Sequence, residues 1–224
     1  MPLSKPCRSL FPLGQMVLLA LAFQLMAVSG SASAAAAPLK ILALGDSLTA
    51  GYGLPPGEGF VPQLEKALRE KGIDAAVLDG GVSGDTTAGG LARLDWLLAE
   101  DPQVVIVELG ANDALRGLDP AEVEANLDAI LTKLQGQHRA VLLAGMLAPP
   151  NLGPDYAKAF DAIYPELAQR HGVALYPFFL DGVAADPKLN QPDGIHPTAA
   201  GVAVIVKHIL PSLLQVIERA PSAG

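Results

Sequence analysis

The chain has 224 residues, of which 50% are hydrophobic and 17% are charged, so it is long enough for one domain with a sizeable core. Its formal net charge of −8 at pH 7 argues against a nucleic-acid partner. Cys7 is the only cysteine, which excludes a disulfide framework within the chain.

The N-terminus has the pattern of a secretory signal peptide. Lys5 and Arg8 precede an apolar run at 16–28, and small residues with an Ala-Ser-Ala cleavage pattern follow. A membrane anchor needs about 17 to 25 apolar residues, so cleavage is favoured over anchoring. We therefore predict a signal peptide at 1–34 and one domain at 35–224. Cleavage would leave 13 basic against 23 acidic residues, a net charge of −10, and would accompany export of the protein.

Beyond residue 34, five short apolar runs alternate with stretches of helical periodicity. This alternation is typical of parallel strands joined by crossover helices. Because the runs are almost continuously apolar, the strands should be buried on both faces, with helices above and below the sheet. The predicted strands are 40–44, 75–78, 104–109, 140–145 and 173–176.

The helical segments are less uniform. Apolar residues share one helix face between 123 and 134, and a further helix is predicted after Thr87. The last helix is predicted to begin at Pro197, because proline suits the first helical position, and to be interrupted at Pro211. Its apolar stretch, 201–210, is too short to cross a membrane, so no span is predicted after signal cleavage.

Unusual sequences follow the C-terminal ends of the predicted strands. GDS at 45–47 follows the first strand, Gly84 lies after the second, and Asn112 and Asp113 follow the third. The fifth strand leads to DGIHP at 193–197. Open parallel sheets bind ligands at this edge, so these four segments are expected to meet in one site.

The residue types at this edge suit acyl transfer. A serine becomes a strong nucleophile when a neighbouring base takes its proton, and histidine is the natural base near neutral pH. Pro197 disfavours helical torsions for His196, so Asp193 and His196 are expected to flank a tight turn. We predict that Ser47 is the nucleophile, that His196 is its base, and that Asp193 orients the imidazole.

Acyl transfer also needs donors for the oxygen on which negative charge develops. The predicted donors of this oxyanion hole are the backbone N–H groups of Ser47 and Gly84 and the side-chain amide of Asn112. Taken singly, these residues also have simpler interpretations as helix caps or turn residues, and only their coincidence at one edge favours catalysis. Apolar residues nearby indicate a groove for an acyl chain. The candidates are Leu48, Leu115, Leu118, Leu147 and Pro149.

The four segments together resemble the GDSL, or SGNH, hydrolase family, which is named for serine, glycine, asparagine and histidine in separate blocks. The blocks are GDSLTAGYG at 45–53, VSGDTT at 82–87, GAND at 110–113 and DGIHP at 193–197. The resemblance implies the same roles for Ser47, Gly84, Asn112, Asp193 and His196. It also implies a flavodoxin-like α/β three-layer sandwich, whose five parallel strands have the order 2-1-3-4-5.

Within that family, the blocks look most like bacterial periplasmic enzymes active as acyl thioesterases, lysophospholipases and arylesterases. The resemblance therefore implies hydrolysis of small acyl esters and thioesters, with lysophospholipids among the candidate substrates, by an SGNH hydrolase domain at 35–224. No cofactor or metal is expected, and a monomer is predicted. One departure is Asp79, where this subgroup usually has asparagine.

Three alternatives remain open at this point. A carbohydrate O-acetylesterase of the same family is the nearest. A metal-dependent phosphoesterase is the second, because Asp and His side chains from the same blocks are possible ligands for a divalent ion. The third is a non-catalytic lipid-binding protein on the same fold. The metal alternative would use Asp46, Asp85, Asp113, Asp193 and His196.

Overall fold

The computed structural model describes residues 1–3 and 37–220. Nearly all of the predicted signal peptide therefore lies outside the described residues. Residues 37–220 belong to one compact unit.

Five parallel strands form one sheet in the order β2-β1-β3-β4-β5, which confirms the predicted topology. Every strand begins within one residue of its predicted position, because the uninterrupted apolar runs mark strands that are buried on both faces. The strands are β1 (Leu39–Gly45), β2 (Ala75–Gly81), β3 (Val104–Glu108), β4 (Ala140–Ala144) and β5 (Ala174–Tyr176).

Helices cover both faces of the sheet, as the apolar strands predicted. The bounds are α1 (Ser47–Ala50), α2 (Phe60–Glu70), α3 (Thr87–Leu98), α4 (Ala111–Leu115), α5 (Pro120–Gly136), α6 (Pro154–His171) and α7 (Ala199–Ile217), with a 3₁₀ turn at Pro150–Leu152. Helices α2 and α7 pack together as one layer, and α5 packs against α3 and α6 as the other. The three-layer sandwich is confirmed.

The register of the sheet brings the ends of three strands together. Gly45 at the end of β1 lies opposite Gly81 of β2 and Glu108 of β3. The segments that follow these strands therefore leave the sheet side by side. This alignment places the serine, glycine and asparagine blocks at one edge.

Two predictions for the last helix are wrong. The helix begins at Ala199, not at Pro197, because Pro197 pairs with Asn190 in an antiparallel bridge. Thr198 then caps the helix, and its Oγ1 accepts a hydrogen bond from the Gly201 N–H at 3.2 Å. The helix also continues through Pro211. Pro211 is exposed, so the backbone carbonyl that loses its partner there can be solvated.

Because α7 runs for 19 residues, the prediction that its apolar stretch is too short for a membrane span is also wrong. Among the described residues, α7 is the one helix that is long and apolar enough to span a membrane. Its apolar face is occupied within the domain, where it packs against α2, β4 and β5. Val202, Ile205, Ile209 and Leu213 are buried there, as expected of a core helix.

Candidate active site

The serine lies on a sharp turn directly after β1. Asp46 caps the single-turn helix α1, and its Oδ1 accepts a hydrogen bond from the Leu48 N–H at 2.9 Å. Ser47 is the first residue of that turn. The turn requires glycine at position 45, because a Cβ there would overlap Thr49 Oγ1 and lie 2.5 Å from Glu108 Oε2. The chain thus presents Ser47 at the C-terminal edge of the sheet.

The structure brings Ser47, His196 and Asp193 into one hydrogen-bonded row. His196 Nε2 lies 2.9 Å from Ser47 Oγ, and His196 Nδ1 lies 2.7 Å from Asp193 Oδ2. The other Asp193 oxygen accepts the backbone N–H groups of Ile195 at 2.9 Å and His196 at 3.0 Å. The backbone N–H of His196, its imidazole and the Ile195 N–H together lower the pKa of Asp193 to about 2.

Backbone contacts hold the histidine segment against the rest of the domain. The Gln191 N–H donates to the His196 carbonyl at 2.7 Å, and the Thr198 N–H donates to the Leu189 carbonyl at 2.8 Å. The Tyr52 ring, from the serine block, packs on the imidazole of His196 with 4.5 Å between ring centroids. The main chain of His196 is therefore held by a hydrogen bond, and its imidazole is held by the Tyr52 ring.

Asn112 and Gly84, the other two predicted oxyanion donors, differ in their placement. Asn112 lies in α4 directly after β3 and donates from Nδ2 to Asp46 Oδ2 at 2.8 Å. Gly84 has a φ of +82°, which favours glycine, and its carbonyl accepts from Arg116 Nη2 at 2.7 Å. Ser47 and Asn112 line the same cavity, whereas Gly84 is not among the lining residues.

A cavity of about 460 Å³ opens beside Ser47, and its walls are mostly apolar. Four of the five predicted substrate-binding residues line it: Leu48, Leu115, Leu147 and Pro149. Leu118 is not among the residues that line this cavity, so its role in substrate binding stays a prediction. Its carbonyl instead accepts a hydrogen bond from Tyr156 Oη at 2.8 Å, which holds this part of the loop against α6.

No sequence pattern predicted the remaining apolar wall of the cavity. That wall comes largely from the segment after β5, which has no regular periodicity, together with Met146, two residues beyond the end of β4. These lining residues are Met146, Phe178, Leu180, Ala184, Ala185 and Ile195.

Glu108, a buried carboxylate that contacts the serine turn, was also not singled out from the sequence. Glu108 is 0% exposed, and its Oε2 accepts from Thr49 Oγ1 at 2.7 Å and from the Asp46 N–H at 3.3 Å. Burial, followed by the nearby Asp46 carboxylate, raises the pKa of Glu108 well above its ordinary value. Burial also raises the pKa of Asp46 to about 6, although the Leu48 N–H and His196 oppose the change. A lone acidic residue within the apolar run 104–109 was the available signal.

The carboxylates of the metal-dependent alternative are engaged separately. Asp85 Oδ2 accepts from Arg93 Nε at 2.7 Å, and the Arg93 guanidinium also donates to the Gly45 carbonyl. Asp113 accepts from both the backbone N–H and the hydroxyl of Thr87. Within residues 1–3 and 37–220, no group of three or more His, Cys, Asp or Glu side chains is arranged to hold a metal ion. The geometry therefore gives the phosphoesterase alternative no shared ligand set.

Comparisons with known proteins point in one direction. Esterase TesA of Pseudomonas aeruginosa is 44% identical over 179 residues, which are 80% of this chain and 89% of that protein. The thioesterase 1/protease 1/lysophospholipase L1 of Escherichia coli K12 is 42% identical over 164 residues, 73% of this chain and 77% of that protein. The crystal structure of AlinE4, an SGNH-hydrolase family esterase, superposes with a TM-score of 0.68 at 50% identity, covering 80% of this chain and 97% of that one.

The model of the GDSL-like lipase/acylhydrolase family matches residues 43–204, a span that includes all four sequence blocks. That match covers more than half of the chain. The chain therefore belongs to the GDSL-like lipase/acylhydrolase family.

Proposed function

We propose that this protein is a serine hydrolase of carboxylic esters and thioesters. The observation that carries the proposal is the row of Ser47 Oγ, His196 Nε2 and Asp193, joined at 2.9 Å and 2.7 Å. A hydroxyl within hydrogen-bond distance of an imidazole, itself oriented by a carboxylate, is the arrangement that activates a serine.

The chemistry divides into two transfers. Ser47 Oγ attacks the acyl carbonyl while its proton passes to His196 Nε2, and the tetrahedral intermediate collapses when that proton reaches the departing alcohol or thiol. Water then attacks the acyl-enzyme, gives a proton to His196, and the proton returns to Ser47 as the acid leaves. Asp193 stabilises the imidazolium in both steps.

The negative oxygen of each intermediate is assigned to the backbone N–H groups of Ser47 and Gly84 and to the Asn112 amide. The Ser47 N–H makes no hydrogen bond to any described residue, so it is free to donate. Asn112 lines the same cavity as the nucleophile. These features support the assignment, because such donors must point at the reacting carbonyl.

The substrate is assigned from the cavity and from relatives. Leu48, Leu115, Leu147 and Pro149 supply apolar contacts for an acyl chain. The relatives named esterase and thioesterase 1/lysophospholipase L1 support small acyl esters and thioesters, with lysophospholipids included. The N-terminal pattern supports export to the periplasm with removal of residues 1–34, and we propose that the mature chain acts as a monomer.

A carbohydrate O-acetylesterase is the rival within the family. An acetyl group needs little apolar wall, whereas the cavity beside Ser47 has a volume of about 460 Å³. The competing substrates separate the two functions. If acetylated sugars are hydrolysed and p-nitrophenyl esters with longer acyl chains are not, the acyl-chain assignment fails.

The experiment is a substrate panel with the mature chain and its Ser47→Ala variant. The parent should hydrolyse p-nitrophenyl esters and acyl thioesters, and Ser47→Ala should lose about four orders of magnitude in kcat while keeping its circular dichroism spectrum and Tm. Ser83→Ala, which removes a serine of the glycine block, is the matched control and should retain activity. Activity that survives in Ser47→Ala would overturn the proposed function.

A further inference from the structure

The Asp46 carboxylate takes no part in the proton transfers of the proposed mechanism, yet both of its oxygens are engaged. Oδ1 accepts from the Leu48 N–H at 2.9 Å, as a helix cap does. Oδ2 accepts from Asn112 Nδ2 at 2.8 Å, across 66 positions in sequence. Asp46 is 1% exposed, so water cannot easily replace either contact.

The contact decides which way the Asn112 amide faces. An ionised carboxylate only accepts hydrogen bonds, so Asn112 must present Nδ2 to Asp46, and its Oδ1 must point away. The amide group has a second N–H, and that hydrogen remains available to a ligand. Because Asn112 lines the cavity beside Ser47, the orientation of this second N–H bears directly on the oxyanion site.

Glu108 contacts the backbone of Asp46. Its Oε2 accepts from the Asp46 N–H and from Thr49 Oγ1, so it ties the end of β3 to both ends of the serine turn. Glu108 Oε1 is buried and has no hydrogen-bond partner among residues 1–3 and 37–220. Two neighbouring buried carboxyls do not readily both ionise. The raised pKa of Glu108 is consistent with a neutral acid there, which leaves the charge on Asp46.

We propose that Asp46 is a positioning residue that holds the Asn112 amide with its free N–H toward the oxyanion site, and that Glu108 holds Asp46 in place. This inference rests on the proposed function, because it requires Asn112 to be an oxyanion donor. Asp46 itself neither gives nor takes the transferred proton in this scheme.

Two substitutions separate this role from helix capping. Asp46→Ser keeps an oxygen that can cap α1 but has no second oxygen for Asn112, and Asp46→Asn keeps the shape but loses one acceptor. Both should lower kcat about 10- to 100-fold and change KM less than about threefold, because a misplaced donor weakens binding of the transition state only. Asp79→Asn is the matched control: Asp79 also accepts a backbone N–H two residues ahead, from Gly81 at 2.9 Å, and should retain the parent kcat.

A double-mutant cycle with Asn112→Ala provides the decisive comparison. If Asp46 acts through Asn112, then Asp46→Ser should lower kcat less than about threefold in a chain that already carries Asn112→Ala. If the fold-losses in kcat of the two single variants multiply in the double variant, the positioning role is overturned. An Asp46→Ser enzyme with the parental kcat would overturn it as well. Asp46→Ser keeps the cap and is expected to fold, so the cycle remains informative if Asp46→Asn does not fold.

Failure of this inference can be told apart from failure of the proposed function. Multiplying losses in the cycle, with Ser47→Ala still inactive, would overturn the role of Asp46 alone. Activity in Ser47→Ala would overturn the proposed function and the inference together.

Discussion

At the scale of single residues, the site depends on side chains that make more than one contact. Asp193 uses one oxygen for the His196 imidazole and the other for two backbone N–H groups, which keeps it ionised, with a pKa of about 2. Asp46 is similarly divided between Leu48 and Asn112. These shared contacts fix the proposed base and one proposed oxyanion donor before substrate arrives, which is where preorganised sites gain their advantage.

Asn112→Ala tests the oxyanion assignment at this scale. Removing one donor should lower kcat about 100- to 1,000-fold with little change in KM, because the donor binds the developing charge more strongly than the neutral carbonyl. Steady-state kinetics on a p-nitrophenyl ester would measure the two constants. A rise in KM with kcat unchanged would instead make Asn112 a substrate-binding residue.

The pH profile is a second test at the residue scale. The pKa of Asp46 is raised to about 6, so its carboxylate gains a proton as the pH falls through that value. Protonation weakens the hold on Asn112, so kcat/KM of the parent should fall about 10- to 100-fold in a step near pH 6, which is the loss expected for Asp46→Ser. Steady-state kinetics on a p-nitrophenyl ester across the acid pH range would measure this step.

In Asp46→Ser this step should be absent, because the variant has no carboxylate at position 46. Asp193 adds no step in this range, because its pKa is about 2. The same acid-side step in the parent and the variant would contradict a catalytic influence of Asp46 ionisation.

At the scale of secondary-structure elements, parallel strands bring the chemistry to one edge. The sheet was predictable from apolar runs, and the edge followed from the rule that ligands bind beyond the carboxyl ends. The bounds of α7 were not predictable from Pro197 and Pro211 alone. A bridge between Asn190 and Pro197 delays the helix, and the exposure of Pro211 lets it continue. Both causes are tertiary contacts or environments that a sequence pattern does not carry.

Gly45→Ala tests the close approach between β1, α1 and β3. The added methyl would overlap Thr49 Oγ1 and crowd Glu108 Oε2, so the free energy of unfolding should fall by about 1 to 3 kcal/mol. Urea denaturation would measure the change. Gly136→Ala is the control, because nothing lies within 4 Å of a Cβ at that position and the substitution should be neutral or stabilising. Equal stability of both variants would show that β1 and α1 tolerate a side chain there.

At the scale of the whole molecule, the cavity is assembled from loops that follow four different strands. The sequence indicated Leu48 and Leu115, which stand beside recognisable blocks, and Leu147, which follows the fourth predicted strand. It did not indicate Phe178 or Ala184, since the segment after β5 has neither periodicity nor a motif. Such a wall depends on how an irregular segment folds back, which only the three-dimensional structure reveals.

Ala184→Phe tests whether the cavity receives the acyl chain. The larger ring would narrow the space beside Ser47, so kcat/KM for a p-nitrophenyl octanoate should fall about 10-fold or more relative to the acetate. Ala203→Phe, at an exposed position on α7 outside this cavity, should leave the ratio of the two esters unchanged. An unchanged ratio in Ala184→Phe would place the acyl chain elsewhere.

The transfer of a proton from Ser47 to His196 is tested most directly by labelling with a fluorophosphonate, followed by peptide mass spectrometry. One adduct per chain should form on Ser47, and the labelling rate should fall at least about 100-fold in His196→Ala, because the hydroxyl then lacks its base. An adduct on another residue, or an equal rate in the His196→Ala variant, would contradict this role for the pair.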